Sequence, residues 1–265
     1  MIAPDNDARV SRRRALAMLT ATATATAAAF GGDMTTSSAA DASPASSTED
    51  SDPTTQAADN DDGGRRPSAE EAWRKLVDGN ARFVAGEPRR PHQNRAWRES
   101  LLDEQHPFAT VLSCADSRVP PELLFDQGFG DLFTIRCAGE VLDAAVIGSV
   151  EYGVEHLGTP LVVVLGHSGC GAVRAAIDAV RGDGYPYGDV AALVHAIEPA
   201  VRSVPDTPDD PDDDAFVAAC VEQQARRVAD ALPARSSAIR AAVQHGHTRV
   251  VAAVYDLTTG TVTPK

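Results

Sequence analysis

The sequence predicts an α/β domain: a mainly parallel β-sheet flanked by helices. Four continuous apolar runs rich in β-branched residues, at residues 108–112, 132–135, 161–165 and 250–255, read as strands buried on both faces. Segments with helical spacing, at 144–156 and 172–181, fill the gaps between them, as a parallel sheet requires. Apolar residues make up 43% of the 265-residue chain and aromatics only 5%, so the core must be packed from small side chains such as Ala and Val.

The elements follow in chain order. Ser11-Arg12-Arg13-Arg14-Ala15-Leu16 opens a mildly apolar stretch at 15–30, diluted by Thr20, Thr22, Thr24 and Thr26. Residues 1–32 therefore resemble a twin-arginine export signal, which would place the protein in the periplasm, outside the cell or at its surface. The stretch is short of the roughly 20 residues that span a bilayer, and no later segment has that length, so no stable membrane span is expected. Residues 33–67, rich in Ser, Thr, Ala, Asp and Pro, bury too little apolar surface to order themselves and read as an acidic linker. Ser68-Ala69-Glu70-Glu71 has the capping-box pattern and begins a helix over 68–85, ending near Gly86. After the third strand, a helical region at 189–246 is interrupted by the acidic, Pro-rich surface loop 205–214. The folded domain is expected over 68–265.

Charge narrows the function. There are 38 acidic against 24 basic residues, and only Lys75 and Lys265 are lysines. No continuous basic face can neutralise phosphates, which excludes a nucleic-acid-binding domain. From Ser68 onward 28 acidic residues oppose 18 basic ones, so the acidity belongs to the domain surface as well as to the leader. Such a surface resembles that of proteins from high-salt habitats, kept hydrated by charge.

Four cysteines in an exported chain would first suggest two disulfides. Their settings argue for another use. Cys114 closes the first strand run and begins Cys114-Ala115-Asp116-Ser117-Arg118, while Cys170 follows the third in His167-Ser168-Gly169-Cys170-Gly171. Both motifs sit just beyond the carboxyl ends of parallel strands, where open α/β sheets gather their ligand sites. Two thiolates and an imidazole suit Zn²⁺, which prefers tetrahedral N/S coordination. Spacing alone leaves open a structural zinc or a Cys114–Cys170 disulfide.

The pair Cys114-x-Asp116-x-Arg118 and His167-x-x-Cys170-Gly171 resembles the signature of the β-class carbonic anhydrases. The similarity runs from the Ser68 helix through Gly79-Asn80-x-Arg82-Phe83 to Val251-x-x-x-Tyr255-Asp256-x-x-x-Gly260, about three quarters of the chain. It implies one Zn²⁺ per chain, held by Cys114, His167 and Cys170, with water or the Asp116 carboxylate in the fourth position. Water there would be acidified to a pKa of about 7 and supply the nucleophile, whereas bound Asp116 would close the site. Arg118, forked to match a carboxylate, would hold Asp116 off the metal, and Asp116 would then orient the nucleophile. By the same resemblance Gln105 hydrogen-bonds bicarbonate, Phe133 and Ala138 wall the pocket, and Gly171 leaves room for substrate beside Cys170.

The implied reaction is CO₂ + H₂O ⇌ HCO₃⁻ + H⁺. The implied assembly is a homodimer or higher homo-oligomer, with Gln105 and Phe133 reaching a neighbouring subunit's site. The rivals are hydrolysis of an isosteric gas such as CS₂ or COS on the same scaffold, and a noncatalytic zinc-stabilised interaction module. One departure is Cys137, where the family often has Asn after Arg136; it reads as a small buried hydrophobe or a redox-sensitive thiol. Cys220 reads as core packing. His245-x-His247 reads as a solvent-facing pair at a helix end, where one ring could shuttle protons.

Overall fold

The computed structural model describes residues 65–205 and 214–265. The export segment 1–32, the linker up to residue 64 and the acidic loop at 206–213 lie outside the described residues.

Five strands form one sheet in the order β2-β1-β3-β4-β5: β1 (Ala109–Ser113), β2 (Leu132–Arg136), β3 (Leu161–His167), β4 (Arg249–Tyr255) and β5 (Val262–Pro264). The first four are parallel and β5 returns antiparallel along β4. β1 and β3 are buried along their whole length, as their unbroken apolar runs require. Alternate residues then serve opposite faces. Val111, Val163, Leu165, Val251 and Ala253 pack with Ala72, Leu76 and Phe125 on one side. Leu112, Val162, Val164 and Ala252 pack with Val150, Val154, Val228, Leu232 and Ile239 on the other.

The first layer is supplied by α1 (Ala69–Ala85). Its capping box forms as read: Ser68 Oγ accepts from the Glu71 N–H at 3.2 Å, and the Ser68 N–H donates to Glu71 Oε2 at 2.7 Å. Gly86, left-handed at φ 74°, ends the helix. The Gly79-Asn80-x-Arg82 run seats this helix. A Cβ at Gly79 would overlap the Phe125 carbonyl, so only glycine permits the approach. Asn80 donates to the Leu124 and Gly260 carbonyls and accepts from the Val262 N–H, tying α1 to β5. Arg82 donates to Asp126 at 2.6 Å.

The second layer comes from α4 (Ala144–Glu155), α7 (Asp214–Arg235) and α8 (Ser237–Gln244). Beyond the strand ends, α5 (Gly171–Arg181) and α6 (Val190–Ser203) pack with α7 around a third cluster that includes Cys114, Cys170 and Cys220. Among the described residues, the region 189–246 holds three helices.

Three elements depart from the sequence reading. Helices α2 (Arg95–Ser100) and α3 (Pro121–Leu124) are too short to show helical periodicity, and β5 has three residues, one of them Pro264. Each is held by its neighbours more than by its own pattern. His167 is the last residue of β3 itself, where the reading ended the strand at Leu165.

Candidate metal centre

The register delivers the site. Ser113 of β1 pairs with Leu165 of β3, so Cys114 emerges level with Gly166 and beside His167. The chain then turns through Ser168 and Gly169, and Cys170 becomes the N-cap of α5. The Ser168 N–H donates to the Tyr255 carbonyl and its Oγ accepts from the Leu257 N–H, fixing this turn to the end of β4. That accounts for the Tyr255-Asp256 segment of the sequence pattern.

Cys114 Sγ, His167 and Cys170 Sγ bring one ligand atom each to within 4.8 Å of one another, all buried. The sulfurs lie 4.0 Å apart and hydrogen-bond, about twice the length of a disulfide bond. No disulfide joins any of the four cysteines, so neither the two-bridge framework nor a Cys114–Cys170 bridge forms.

The imidazole supplies the test of whether a metal fits. His167 Nδ1 is 3.0 Å from the Ser168 carbonyl, which can only accept, so Nδ1 carries the proton. Nε2 is left with its lone pair, buried and without a hydrogen-bond partner, in a group with two sulfurs. A buried nitrogen of that kind is costly unless something electropositive binds it. An N/S₂ set with an oriented imidazole suits Zn²⁺. The hydrogen bond between the sulfurs holds Cys114 toward thiolate against the opposing effect of burial, while Cys170 itself is raised. The Gly139 N–H also donates to Cys114 Sγ at 3.3 Å.

Asp116 stands at the mouth. Arg118 grips it twice, Nε to Oδ1 at 2.9 Å and Nη2 to Oδ2 at 2.7 Å, and the Arg118 N–H adds a third bond to Oδ1. These bonds, the guanidinium's first, hold the carboxyl well below the ordinary carboxylate range. Oδ2 lies 3.9 Å from His167 Nε2. The carboxylate is therefore beside the triad yet turned toward the guanidinium. Asp116 also closes the turn into Val119, whose N–H its carbonyl accepts.

The other sequence-assigned residues divide. Ala138 begins the short 3₁₀ turn Ala138–Glu140 whose next residue touches Cys114. Gly171, exposed, is the first residue of α5, and a Cβ there would meet nothing within 4 Å. Gln105 and Phe133 are not brought to the triad within one chain. Gln105 precedes β1 and is exposed, and Phe133 pairs with Thr110 near the opposite end of that strand. Both lie close to Tyr152, which stacks obliquely on Phe133 and lines a surface groove with Gln105. Cys137 is half-buried, its thiol donating to the Val141 carbonyl at 3.2 Å and pushed up to about 12, chiefly by burial. Cys220 is buried in the third cluster. His245 and His247 are exposed with rings 5.7 Å apart, and among the described residues only the Cys114 group gathers three possible metal ligands.

Several supporting residues escaped the sequence reading. Arg136 donates to the carbonyls of Cys114 and Asp116 at 3.1 and 2.5 Å, bracing the first motif. Glu140 is buried at φ 43°, left-handed, with Oε2 unpartnered, and burial pushes its carboxyl well above the ordinary value. Gln224 of α7, buried, donates to the Gly139 carbonyl. An Arg ending strand β2 was a visible signal, whereas a Gln within an Ala-rich helix was none.

Fold and site together define an α/β protein with a Cys-His-Cys group that could bind a metal at the carboxyl ends of its parallel strands. Residues 109–262, more than half of the chain, match the family model described as carbonic anhydrase, and the chain belongs to that family, in its β class. It is 43% identical over 191 residues to a carbonic anhydrase of Mycolicibacterium smegmatis, covering 72% of this chain and 90% of that protein. It is 42% identical over 189 residues to carbonic anhydrase 2 of Mycobacterium tuberculosis, covering 71% and 89%. Among solved structures, tetrameric β-carbonic anhydrases from the ascomycete Sordaria macrospora share the fold, with a TM-score of 0.57, 20% identity and coverage of 72% and 95%.

Proposed function

We propose that this protein is a zinc-dependent carbonate dehydratase, catalysing CO₂ + H₂O ⇌ HCO₃⁻ + H⁺. The observation that carries this is the partnerless Nε2 of His167 clustered with two cysteine sulfurs, next to a carboxylate gripped by an arginine. A zinc ion held by Cys114, His167 and Cys170 would supply the Lewis acid that makes water a nucleophile near neutral pH. The protein's own residues do the rest. His167 presents its lone pair because Ser168 holds Nδ1–H. Asp116, ionised under the Arg118 clamp, accepts the proton of the attacking water in a hydrogen bond and so turns the oxygen lone pair toward CO₂. Arg118 keeps that carboxylate off the metal position. The open space above Gly171 admits the small substrate. Hydrolysis of CS₂ or COS and a noncatalytic role are not favoured by the family assignment.

The reading extends to a homo-oligomer in which Gln105 and Phe133 serve a neighbouring copy's site. What supports it is their separation from the triad within one chain and the exposed Tyr152 near both, which lines a groove with Gln105 and meets the ring of Phe133. We also retain export by the twin-arginine route, carrying a folded, metal-loaded domain of residues 68–265; Arg12→Lys with Arg13→Lys should leave active enzyme inside the cell, and unchanged export would refute that part. Among the described residues, no helix is long and apolar enough to cross a membrane.

Stopped-flow CO₂ hydration between pH 6 and 9 tests the function on metal-replete native protein and Asp116→Ala. Activity through neutral pH in the native protein, and a deep loss in the variant, is expected. A native protein inactive over the whole range refutes the proposal.

A further inference from the structure

We infer that Gln224, on α7 and far from either sequence motif, is a positioning residue for the metal centre: it holds the turn that places the Gly139 N–H on Cys114 Sγ. The inference rests on the zinc reading above.

The turn has little to hold it by itself. Ala138–Glu140 is three residues long, with Gly139 at φ 66° and Glu140 at φ 43°, so two successive residues are left-handed. For Glu140, a residue with a Cβ, that conformation is unfavourable and must be imposed by its surroundings. The surroundings are specific. The Glu140 N–H closes the turn on the Cys137 carbonyl. A Cβ on Gly139 would come within 2.6 Å of Ile197 and 3.1 Å of Ala172, so α5 and α6 press on the turn from one side. Packing alone resists approach without orienting a peptide. A directional restraint from the helical layer is Gln224, whose Nε2 donates to the Gly139 carbonyl at 3.1 Å in a buried position.

The consequence lies one bond away. Gly139 is gripped at its carbonyl by Gln224 and gives its N–H to Cys114 Sγ at 3.3 Å. With the carbonyl end fixed, the dihedrals of this single glycine set where the N–H points. A hydrogen bond to a ligand sulfur withdraws charge that the sulfur would otherwise donate to the metal, and it fixes the direction of the sulfur lone pairs. Gln224 thus acts on the metal centre through one glycine, while contacting neither metal nor substrate.

The test uses the full-length protein, loaded with Zn²⁺ or Co²⁺. Gln224→Met keeps the side-chain length and removes the donor; Gln224→Asn keeps an amide and withdraws it by one methylene. Val228→Ala, on the same helix and buried in the second layer, is the packing control. Both Gln224 variants should bind Zn²⁺ roughly 10–100-fold more weakly in competition with a chelator, the usual cost of losing an outer-shell partner. Their Co²⁺ forms should show shifted sulfur-to-cobalt charge-transfer bands. Val228→Ala should lower the melting temperature and leave both readouts at the native values. Native metal affinity and an unshifted cobalt spectrum in the Gln224 variants overturn the inference, as does equal weakening in Val228→Ala. A Gln224 variant that loses activity at native zinc affinity also overturns it, whereas a native protein that binds zinc normally and is inactive counts against the proposed function instead.

Discussion

Two of the regions in which the protein buries polar side chains are furnished oppositely. In the seam where α1 meets α3 and β5, Asn80 uses both amide atoms in three hydrogen bonds, and Asp126 accepts from Arg82 Nε and from the Arg89 and Arg90 N–H groups. At the carboxyl ends of β1 and β3, Ser113 Oγ, Glu140 Oε2 and His167 Nε2 are buried without partners. The first region is closed upon itself, and its polar groups secure the fold. The second leaves capacity unspent, at a cost of about 1–3 kcal/mol for each stranded group, which a fold tolerates where a ligand will use it. Substitutions should therefore separate cleanly: in the seam they should cost stability, and at the strand ends they should cost metal and activity.

The largest effect is expected at the ligands. Cys114→Ser or His167→Ala should abolish stoichiometric zinc binding and with it CO₂ hydration, a loss well beyond the roughly 10–100-fold that outer-shell changes cause. Metal analysis and stopped-flow rates on the same sample check this. A variant that keeps one zinc per chain would break the assignment of the triad.

The seam comes next, with the opposite signature. Asp126→Ala leaves the Arg82 guanidinium and two N–H groups without their acceptor, and should cost about 3–5 kcal/mol in denaturant unfolding. Activity per folded, metal-loaded molecule should be unchanged. pH adds a second check. Burial raises the Asp126 carboxyl, but the bonds from Arg82, Arg89 and Arg90 more than offset this and leave it below its unfolded value. Its contribution is then fully present above the ordinary carboxylate pKa of about 4 and is lost as pH falls through the folded value. The native protein should lose stability on acidification more steeply than the variant. Asn80→Leu should follow at roughly 1–3 kcal/mol, with the Val262 N–H stranded and β5 loosened.

The same contrast explains what could be read from the sequence. Ser68 and Glu71 announced α1 because a capping box is a local device, and Val162, Val163 and Val164 announced β3 because burial on both faces leaves no polar alternation. The clustering of Cys114, His167 and Cys170 was legible because sulfur and imidazole chemistry is rare and sits where parallel strands end. Helices α2 and α3 and strand β5 were not, since each is too short to carry a period and is stabilised by distant partners such as Asn80 for β5. Nor were Glu140 and Gln224, whose roles arise from a backbone turn and a helix packed 85 residues apart in the chain. Gln105 marks a different limit. Its position in the motif order associates it with the site, while the fold of one chain sets it at the other end of β1.

The smallest effect is expected at Gly171, and it is the most discriminating. The residue begins α5, its φ is not in the left-handed region, and a Cβ would touch nothing within 4 Å. Nothing in one chain therefore requires glycine there. Gly171→Ala should be neutral to slightly stabilising, by at most about 0.5–1 kcal/mol, since alanine restricts the unfolded chain and favours the helix. If the space above Gly171 admits substrate to the metal, the same added methyl should lower kcat/KM while the melting temperature holds or rises. Loss of stability would mean that the glycine belongs to the fold, as Gly79 does against Phe125. Unchanged stability with unchanged kcat/KM would remove Gly171 from the site altogether. Only a loss of activity without a loss of stability fits a strand end whose open space is kept for a ligand.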